Sequence, residues 1–453
     1  MADAFSTSSL SPDSILPSLA PHADKPLLVA FSGGVDSTVL LHLLVSLRDR
    51  NLLKDLLAVH IDHGLSQHAE DWSDHCKSVC KQLSVPFIVR KILIEGSSDI
   101  ELQARNQRYQ VFEELLPEGG CLLMGHHQDD QAETLLFRLF RGSGVDGLAG
   151  IPVSRSLGQG ALLRPLLSCS RQQIEAYAQE NSLSNIEDDS NTDQTFRRNY
   201  LRHGLIPEIE RQWPGVSGRL SALSEELFEV SGLLADLAET EYQNVSVAPP
   251  GVVWGPRELL VVDKLLSLSR PVVNRVLRFW LGKYECPMPD RQHLEIIVSE
   301  IAEAKQDAEP CIKLSSVEVR RSGNYLVLLK ASSVSSLCHE LIWNPLTDSE
   351  LKLADGSFLV MNSSELAEIS DLQVTVKYRE HLPDGLKVRV AGRKGSKTVK
   401  RWLQDYKVPP WMRNRIPFLF VDGRMVAAAG LWHCDELSEP EQIAAHVTWS
   451  HVE

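Results

Sequence analysis

The chain has few of the features that mark membrane, secreted or disulfide-bonded proteins. None of its apolar runs approaches the length that crosses a bilayer, so we expect no membrane association. Residues 1–25 contain neither the basic nor the apolar region of a secretory signal, which predicts a cytoplasmic protein. Eight cysteines occur in 453 residues without a Cys-x-x-Cys pair, so Cys76 and Cys80 are expected to be buried thiols rather than metal ligands.

Positive charge is also scarce, except in one segment near the C-terminus. The net charge of the chain is −14. Ten lysines and arginines and a single acid, Asp405, nevertheless lie between Lys387 and Arg415. A concentrated basic segment on an acidic body predicts a site for a polyanion. The alternative is an ordinary solvated basic surface.

A third absence concerns phosphate-binding motifs. The chain contains no Gly-x-x-x-x-Gly-Lys-Ser/Thr sequence, which excludes the P-loop NTPases. It does contain Ser-Gly-Gly-Val-Asp-Ser at residues 32–37 between two apolar runs, an order that predicts strand, tight loop and helix. The glycines let the backbone approach an anion, and the helix N-terminus offers free N–H groups. Ser32 and Ser37 add hydroxyl groups, and Asp36 can hold a magnesium ion against phosphate oxygens. A plain turn with a capping serine is the alternative.

The surrounding pattern predicts the fold of the first half of the chain. Five candidate strands alternate with helical patterns: Leu27–Ser32, Leu56–Asp62, Phe87–Leu93, Cys121–His127 and Ala161–Leu167. This βαβ rhythm is typical of an α/β fold with a doubly wound parallel sheet, which binds ligands at the carboxyl ends of its strands.

The second half of the chain has different patterns. Residues 214–306 have apolar residues at helical spacing, and the apolar runs Ile312–Val319 and Tyr325–Leu329 predict a β-hairpin. A serine-rich linker and a small α+β segment with one basic helix, around Thr398–Tyr406, follow. We therefore predict a catalytic domain at residues 1–215, a mainly helical middle domain at 216–331 and an α+β C-terminal domain at 350–453.

Polar residues follow two of the predicted strands. Asp62 ends the second strand, where its carboxylate could contact a ribose or take part in a plain turn. Two histidines and three acids follow the fourth strand: His126, His127, Asp129, Asp130 and Glu133. Such groups suit magnesium binding, recognition of a substrate amine and proton transfer, whereas simple helix capping explains the acids alone. Zinc suits this cluster less well than a hard cation does.

Two further motifs have competing interpretations. Arg198 and Arg202 are four residues apart on a predicted helix, where they could bind phosphates of ATP or RNA. Ion pairs with the acids at residues 187–189 are the alternative. The Gly-x-G-x-x-Gly match at residues 142–147 follows a helix rather than a strand, so it does not predict a dinucleotide site.

Taken together, these motifs resemble the tRNA(Ile)-lysidine synthetases, members of the N-type ATP pyrophosphatase superfamily. The resemblance covers most of the chain and is least distinctive in the helical middle. The motifs that support the resemblance are Ser32–Ser37, His60–Leu65, Gln103–Arg105, Arg108-Tyr109, Gly125–Thr134, Arg141–Gly144, Arg164–Leu166, Asp188–Arg202, Val408–Pro417, Val421–Gly423 and Gly430–Trp432.

The resemblance implies a reaction in two steps. The C2 oxygen of the wobble cytidine, in an isoleucine tRNA with anticodon CAU, attacks the α-phosphorus of ATP. The ε-amine of free lysine then attacks the activated C2 and expels AMP. ATP and Mg²⁺ are the implied cofactors, tRNA and lysine are the implied partners, and no obligatory protein partner is inferred.

The resemblance also implies roles for individual residues. Asp36, Arg105, His126 and Asp130 would be catalytic, and Asp36 would lie next to the magnesium. The nucleotide would be bound by Ser32, Gly33, Gly34, Val35, Asp36, Ser37 and Asp62. The substrates would be bound by Asp129, Glu133, Arg198, Arg202, Arg393, Lys397, Lys400 and Arg401.

Two other functions remain open from the sequence. A small-molecule adenylating amidotransferase would use the same loop, but nothing here resembles a glutaminase domain and the basic segment would have no use. A non-catalytic tRNA-binding protein would have no need of the complete motifs at residues 32–37 and 125–134.

Overall fold

The structure, a computed structural model, describes residues 9–62, 64, 68–92, 100–186, 197–249, 258–284, 286, 291–304, 310–314, 317–330, 340–354, 356–361 and 372–450. The chain forms two compact units, Met1–Leu233 and Leu234–Glu453. The predicted domain limits at residues 215, 331 and 350 stay predictions.

The described residues of the first unit form six strands and ten helices, the last of which continues into the second unit. The strands are β1 (Leu27–Ala30), β2 (Leu56–Asp62), β3 (Phe87–Lys91), β4 (Cys121–Leu123), β5 (Ser154–Leu157) and β6 (Gly160–Leu163). The helices are α1 (Pro12–Leu19), α2 (Val35–Asp49), α3 (Ala69–Gln82), α4 (Ile100–Leu115), α5 (Gln128–Phe140), α6 (Val145–Leu148), α7 (Arg171–Glu180), α8 (Arg197–Tyr200), α9 (Ile206–Gln212) and α10 (Val216–Val245). A 3-10 turn lies at Ala20–His22 and a π-helical turn at Leu201–Leu205.

The strands form one sheet in the order β3-β2-β1-β4-β6-β5. All neighbours pair in parallel except β5 and β6, which form an antiparallel hairpin at one edge. The predicted parallel sheet is confirmed. The edge strand was missed because three of its four residues are exposed and their polar side chains give no apolar pattern.

Helices cover both faces of the sheet. In β1, Leu27 and Val29 pack into the core beneath α1, α2 and α7, while Leu28 packs into a second core with Phe112 of α4. Successive side chains of a strand point to opposite faces, so burial of consecutive apolar residues marks a sheet covered on both sides. This arrangement is the doubly wound fold.

The chain order reverses between β1 and β4, the topological switch point of the sheet. β2 and β3 lie on one side of β1, and β4 lies on its other side. The loops that leave β1 and β4 therefore diverge in opposite directions and leave a crevice between them. Gly125, just after β4, lies so near α2 that a Cβ atom there would be 3.1 Å from the backbone oxygen of Asp36.

The second unit begins with a mixed segment. After α10 it contains β7 (Ser246–Val247), β8 (Leu259–Val261), α11 (Val262–Ser267), α12 (Arg270–Gly282), α13 (Arg291–Ile296), a π-helical turn (Ile297–Ala302), β9 (Cys311–Leu314), β10 (Val317–Ser322) and β11 (Tyr325–Lys330). The predicted hairpin is confirmed, since β10 pairs with β11 around Gly323-Asn324. The apolar run before it forms two strands rather than one, because β9 pairs with β10.

The rest of this unit is rich in antiparallel strands. It contains β12 (Leu341–Trp343), β13 (Glu350–Lys352), β14 (Phe358–Val360), β15 (Val374–Lys377), β16 (Lys387–Arg389), β17 (Ser396–Thr398), α14 (Val399–Asp405), β18 (Phe418–Val421), β19 (Arg424–Ala428), β20 (Trp432–His433), α15 (Glu439–Ala445) and β21 (Thr448–Ser450), with 3-10 turns at Arg379–His381 and Pro410–Met412. The predicted basic helix is α14, and the Thr398 hydroxyl group caps it by accepting from the Arg401 N–H. Across the described residues, no helix is long and apolar enough to span a membrane.

Candidate functional site

The loop between β1 and α2 is held by its own hydroxyl groups. Ser32 Oγ and Ser37 Oγ lie 3.1 Å apart, and Ser37 Oγ donates to the Gly34 carbonyl oxygen at 3.0 Å. Thr38 Oγ1 donates to the same carbonyl oxygen at 3.0 Å. These bonds fix the entry into α2, a 15-residue helix whose N-terminus can bind an anion through free N–H groups.

Gly33 is required in this loop for two physical reasons. Its φ of +87° lies in the left-handed region, which favours glycine. A Cβ atom there would also lie 2.7 Å from Ile186 Cδ1 and 2.8 Å from Cys76 Sγ. The buried Cys76 thiol, whose pKa burial raises to about 12, therefore has a packing role, as expected from the sequence.

Asp36 lies in the first turn of α2 and presents an unsatisfied carboxylate. Its Oδ1 atom is buried and has no hydrogen-bond partner among the described residues. Burial raises the pKa of Asp36, and the nearby His127 offsets this only in part. A buried oxygen without a partner is costly unless a ligand satisfies it.

The donor set at Asp36 fits magnesium. Mg²⁺ is commonly held by one or two carboxylates together with phosphate oxygens of the substrate. The described residues contain no group of three His, Cys, Asp or Glu side chains that could hold a metal by themselves. Asp36 would therefore hold the ion jointly with a bound nucleotide, and not within a cage of protein ligands.

His127 lies at the centre of three carboxylates at the start of α5. Its Nε2 atom is 3.7 Å from Asp36 and 3.5 Å from Asp130, and its Nδ1 atom is 3.7 Å from Asp129. Burial disfavours the charged ring, but the three carboxylates outweigh it and raise the pKa of His127. The side chain is only 1% exposed, so the His127 ring is enclosed between Asp36 of α2 and the two aspartates of α5.

The two aspartates of α5 are held in their charged form. Burial alone would raise the pKa of Asp129, but His127 and the Arg171 backbone N–H, which donates at 2.8 Å, lower it. Asp130 has a lowered pKa because His127, His126 and two arginines outweigh its burial. Asp130 Oδ2 also accepts from the His127 N–H at 3.0 Å, so helix capping and site formation use the same carboxylate.

Glu133 is the most deeply buried acid of the cluster and is fully engaged by two arginines. Arg198 Nε donates to Glu133 at 2.9 Å, and Arg202 binds both Glu133 oxygens and donates from Nη2 to Asp130 Oδ1 at 2.8 Å. Glu133 is 1% exposed. The partners of the arginines are therefore the buried acids of α5, and the predicted alternative partners at residues 187–189 lie outside the described residues.

A second group of cations surrounds Tyr109 on α4. We call Arg105, Arg108, Arg155 and Arg164 the arginine cluster. The Arg105 and Arg155 guanidinium groups lie 5.1 and 4.8 Å from the centre of the Tyr109 ring. The Arg108 Nε atom is buried without a hydrogen-bond partner among the described residues. Such a concentration of cations suits an anionic ligand.

His126 connects the arginine cluster to the acids. Arg164 Nε donates to His126 Nδ1 at 3.2 Å. Burial, helped by the nearby arginines and opposed by Asp130, lowers the pKa of His126 to about 4. The ring is therefore neutral at pH 7, and because Nδ1 accepts from Arg164, its hydrogen is on Nε2.

This neutral histidine predicts a pH effect on stability. The folded pKa of His126, about 4, lies below the ordinary value of 6.5, so the unfolded chain gains a proton first as the pH falls. The stability that neutral His126 contributes is complete above pH 6.5 and is lost as the pH falls towards 4. We expect His126→Asn, which keeps an acceptor for Arg164, to lose less free energy of unfolding than the wild type in that window. Denaturant titrations at several pH values would measure this, and equal losses would contradict it.

Asp62 lies at the carboxyl end of β2, where the sequence placed it. Its Oδ1 atom accepts from the Gly64 N–H at 2.8 Å, and its Oδ2 atom lies 3.7 Å from Lys91 Nζ. This is the geometry of the plain turn that the sequence allowed as an alternative. Contact between Asp62 and a ribose stays a prediction.

The predicted basic residues of the second unit lie on and beside α14. Lys397 Nζ and Arg401 Nε lie 2.6 and 3.8 Å from Asp405, so the one acid of the segment pairs with two of its cations. Arg393 stacks over the ring of Tyr406. Lys400 is exposed and has no ion pair among the described residues. Three of the four predicted cations therefore contact Asp405 or Tyr406 of the same segment, and Lys400 is left exposed.

The structure brings together residues that the sequence treated separately. Asp36, Asp129, Asp130, Glu133, Arg198 and Arg202 form one charged network around His127. Sequence reasoning gave a role to Arg105 but none to Arg108, Arg155 or Arg164, although Arg105 and Arg108 are three apart on one helix. Spacing could have indicated that pair, whereas Arg155 comes from the strand that the sequence pattern missed.

Three family descriptions match the chain. Residues 11–209 match a PP-loop domain, residues 260–327 a TilS substrate binding domain and residues 374–449 a TilS substrate C-terminal domain. The first unit is thus a PP-loop, ATP-utilising domain, in agreement with its parallel sheet and with the loop at residues 32–37. More particularly, the chain belongs to the tRNA(Ile)-lysidine synthase family, as its relatives show.

These relatives are similar over nearly their whole length. The tRNA(Ile)-lysidine synthase of Legionella pneumophila strain Paris is 36% identical over 412 residues, which cover 90% of this chain and 91% of that protein. The enzyme of the same name from Coxiella burnetii is 34% identical over 412 residues, with 90% and 89% covered. That of Pseudomonas fluorescens is 37% identical over 403 residues, with 89% and 88% covered.

Proposed function

We propose that the protein ligates lysine to C2 of the wobble cytidine of an isoleucine tRNA with anticodon CAU, with ATP as the energy source. One observation carries the proposal. In a chain of this family, the 32–37 loop and the charged network lie side by side at the switch point of the sheet. A loop for pyrophosphate and a set of acids for an amine are thereby adjacent.

In the first step, the C2 oxygen of the cytidine attacks the α-phosphorus of ATP and pyrophosphate leaves. The amide-like C2 carbonyl is a poor electrophile until its oxygen carries an adenylyl group, so cleavage of ATP to the adenylate and pyrophosphate is coupled to activation. The loop N–H and hydroxyl groups would bind the leaving pyrophosphate. Asp36 would hold the Mg²⁺ ion, which neutralises charge on the phosphates when it is bound.

His126 and the arginine cluster would act on the same phosphates. His126 is neutral and carries its hydrogen on Nε2, so it is suited to donate a hydrogen bond rather than to accept a proton. Arg105 and its neighbours supply charge next to it. Donors that are fixed before the reaction stabilise developing negative charge without reorganisation.

In the second step, the ε-amine of lysine attacks C2 and AMP leaves. Asp129 is the more exposed of the two aspartates of α5, at 30% against 11% for Asp130, and burial is outweighed there so that its pKa is lowered, which suits it to bind the substrate amine. Glu133 is fully used by Arg198 and Arg202, so we propose that it positions these arginines and does not contact lysine. Asp130 connects both groups, since it contacts His127 and Arg202.

The basic segment around α14 would bind the tRNA backbone. We expect Lys400→Ala to weaken tRNA binding and to reduce the slope of log affinity against log salt concentration by about 1, the value for one lost phosphate contact. Lys397→Ala should have a smaller effect, because Asp405 already pairs with its ammonium group at 2.6 Å. Filter binding at several salt concentrations measures both, with Lys352→Ala, an exposed lysine outside the segment, as control. An unchanged slope for Lys400→Ala would remove Lys400 from the interface.

The whole proposal is tested by product analysis. The full chain is incubated with ATP, magnesium, lysine and the isoleucine tRNA, pyrophosphate is measured, and the anticodon loop is analysed by mass spectrometry. A mass gain of one lysyl group on the wobble cytidine is expected. Pyrophosphate release without that gain would indicate another substrate, and no release would indicate a protein that only binds tRNA.

A further inference from the structure

An exposed aromatic groove lies beside the charged network. Its floor is formed by Phe137 and Leu201, and its rim by Phe140, Arg141, Arg197 and Tyr200. The groove has a volume of about 350 Å³, within the range of small-ligand sites. Phe140 and Tyr200 are 66% and 54% exposed, which is unusual for such large rings unless a partner covers them.

The groove is built on the two elements that carry the network. Asp130, Glu133, Phe137 and Phe140 recur at spacings of three and four on α5, so they share one face of that helix. This face extends about 15 Å from Asp130 to Phe140 at the usual rise per residue. Opposite it, the segment at residues 197–205 supplies Arg198 and Arg202 to the network and the groove residues Arg197 and Tyr200 to the rim.

The turn that connects the two sites has a special backbone. Residues Leu201–Leu205 form a π-helical turn, and this turn contains Arg202. Single π turns within helices are rare and are often found at functional sites. Here the turn contains both Arg202, which binds Glu133, and Leu201, which lines the groove.

The chemistry of the groove favours an RNA base. Among the described residues, its lining contains exposed rings and two arginines but no carboxylate, a composition that suits a base and its phosphates better than an amine. The Arg141 guanidinium already lies 4.7 Å from the centre of the Phe137 ring, and stacked arginine and aromatic groups are the usual platform for unpaired bases. Arg141 and Arg197 also supply positive charge for the phosphates beside such a base.

We propose that this groove binds an unstacked base of the anticodon loop close to the wobble cytidine, with Tyr200 and Phe140 as its stacking surfaces. Arg141 and Arg197 contact the adjoining phosphates. The groove thus helps to hold the loop open while the cytidine is in the reaction site. This inference rests on the proposed function, since it takes the isoleucine tRNA as the ligand.

The test compares Tyr200→Ala, Tyr200→Phe and Phe140→Ala with the wild type in lysidine formation. We expect Tyr200→Ala and Phe140→Ala to raise the KM for tRNA by roughly 5- to 150-fold, the range for loss of one base stack. Tyr200→Phe keeps the ring and should behave as the wild type, and the KM for ATP should not change. Leu139→Ala is the matched control, because Leu139 is an exposed apolar residue of the same helix that does not line the groove.

A set of tRNAs with one abasic nucleotide each in the anticodon loop makes the test specific. The wild type should lose affinity for the tRNA that lacks the stacked base, and Tyr200→Ala should show no further loss with that tRNA. Additive losses at every loop position, or an unchanged KM for tRNA, would overturn the proposal. A lowered melting temperature with an unchanged KM would also overturn it, since it would show internal packing. If the wild type forms no lysidine on intact tRNA, the proposed function fails before the variants are compared.

Discussion

We expect Asp36→Asn to abolish most of the lysidine formation while the protein stays folded. The substitution removes the carboxylate proposed to hold the magnesium beside the pyrophosphate, and we expect kcat to fall on the order of 10³-fold. Burial raises the pKa of Asp36, so the folded state disfavours its charge at neutral pH. A neutral side chain should therefore leave the melting temperature unchanged or raise it.

The measurement combines steady-state turnover, a magnesium titration and thermal melting of the full chain. Asp36→Ala should show the same loss of turnover. Asp49→Asn is a suitable control, because Asp49 is an exposed acid at the other end of α2 and pairs only with the neighbouring Arg48 among the described residues. An active, well-folded Asp36 variant would remove Asp36 from the proposed mechanism. A variant that fails to fold would show that Asp36 supports the structure.

Glu133→Ala, unlike Asp36→Asn, should strongly lower the free energy of unfolding. It removes a buried carboxylate that binds two guanidinium groups, and breaking such a pair from one side is strongly destabilising. Because Arg198 and Arg202 are partly exposed, we expect a loss of about 2–4 kcal/mol in the free energy of unfolding, below the full value for buried pairs. This corresponds to a fall of roughly 5–15 °C in melting temperature for a unit of this size.

A matched control is available in the same unit. Glu175→Ala breaks the exposed pair between Glu175 and Arg171, four residues apart on α7, and should change stability by less than about 0.5 kcal/mol. The KM for lysine separates the two interpretations of Glu133. Normal melting of Glu133→Ala with a greatly raised KM for lysine would make Glu133 a direct ligand of the substrate, as the sequence predicted, and would contradict the positioning role.

The local motifs were readable from the sequence because their geometry depends on neighbouring residues. The 32–37 loop has its glycines, hydroxyl groups and acid within six positions, and a strand and a helix were recognisable on either side. The spacing of Arg198 and Arg202 likewise indicated a shared helix face. The antiparallel edge strand β5 had no such local signal, since only its pairing with β6 defines it.

Long-range partners decided the roles of these same residues. The pairing of Arg198 and Arg202 with Glu133 joins positions 65 or more residues apart, and no local spacing predicts it. Contact between Glu133 and substrate stays a prediction, and its burial gives it two arginine partners within the protein that the polar motif did not indicate. The long helix α10 is a further case: its apolar stripe predicted the helix, yet Leu223 and Val230 are exposed rather than packed in a core.

The sequence by itself determined the class of fold, the phosphate-binding loop and the family of this protein, because these depend on residue order and short spacing. Only the tertiary structure decided which carboxylates of the site are hydrogen-bonded to arginines and which have an oxygen without a hydrogen-bond partner. Glu133 is buried and binds two arginines, whereas the Asp36 side chain is 30% exposed and its buried Oδ1 atom has no hydrogen-bond partner among the described residues. The difference arises because packing places Arg198 and Arg202 within hydrogen-bond distance of Glu133, whereas His127 Nε2 lies 3.7 Å from Asp36, beyond hydrogen-bond distance.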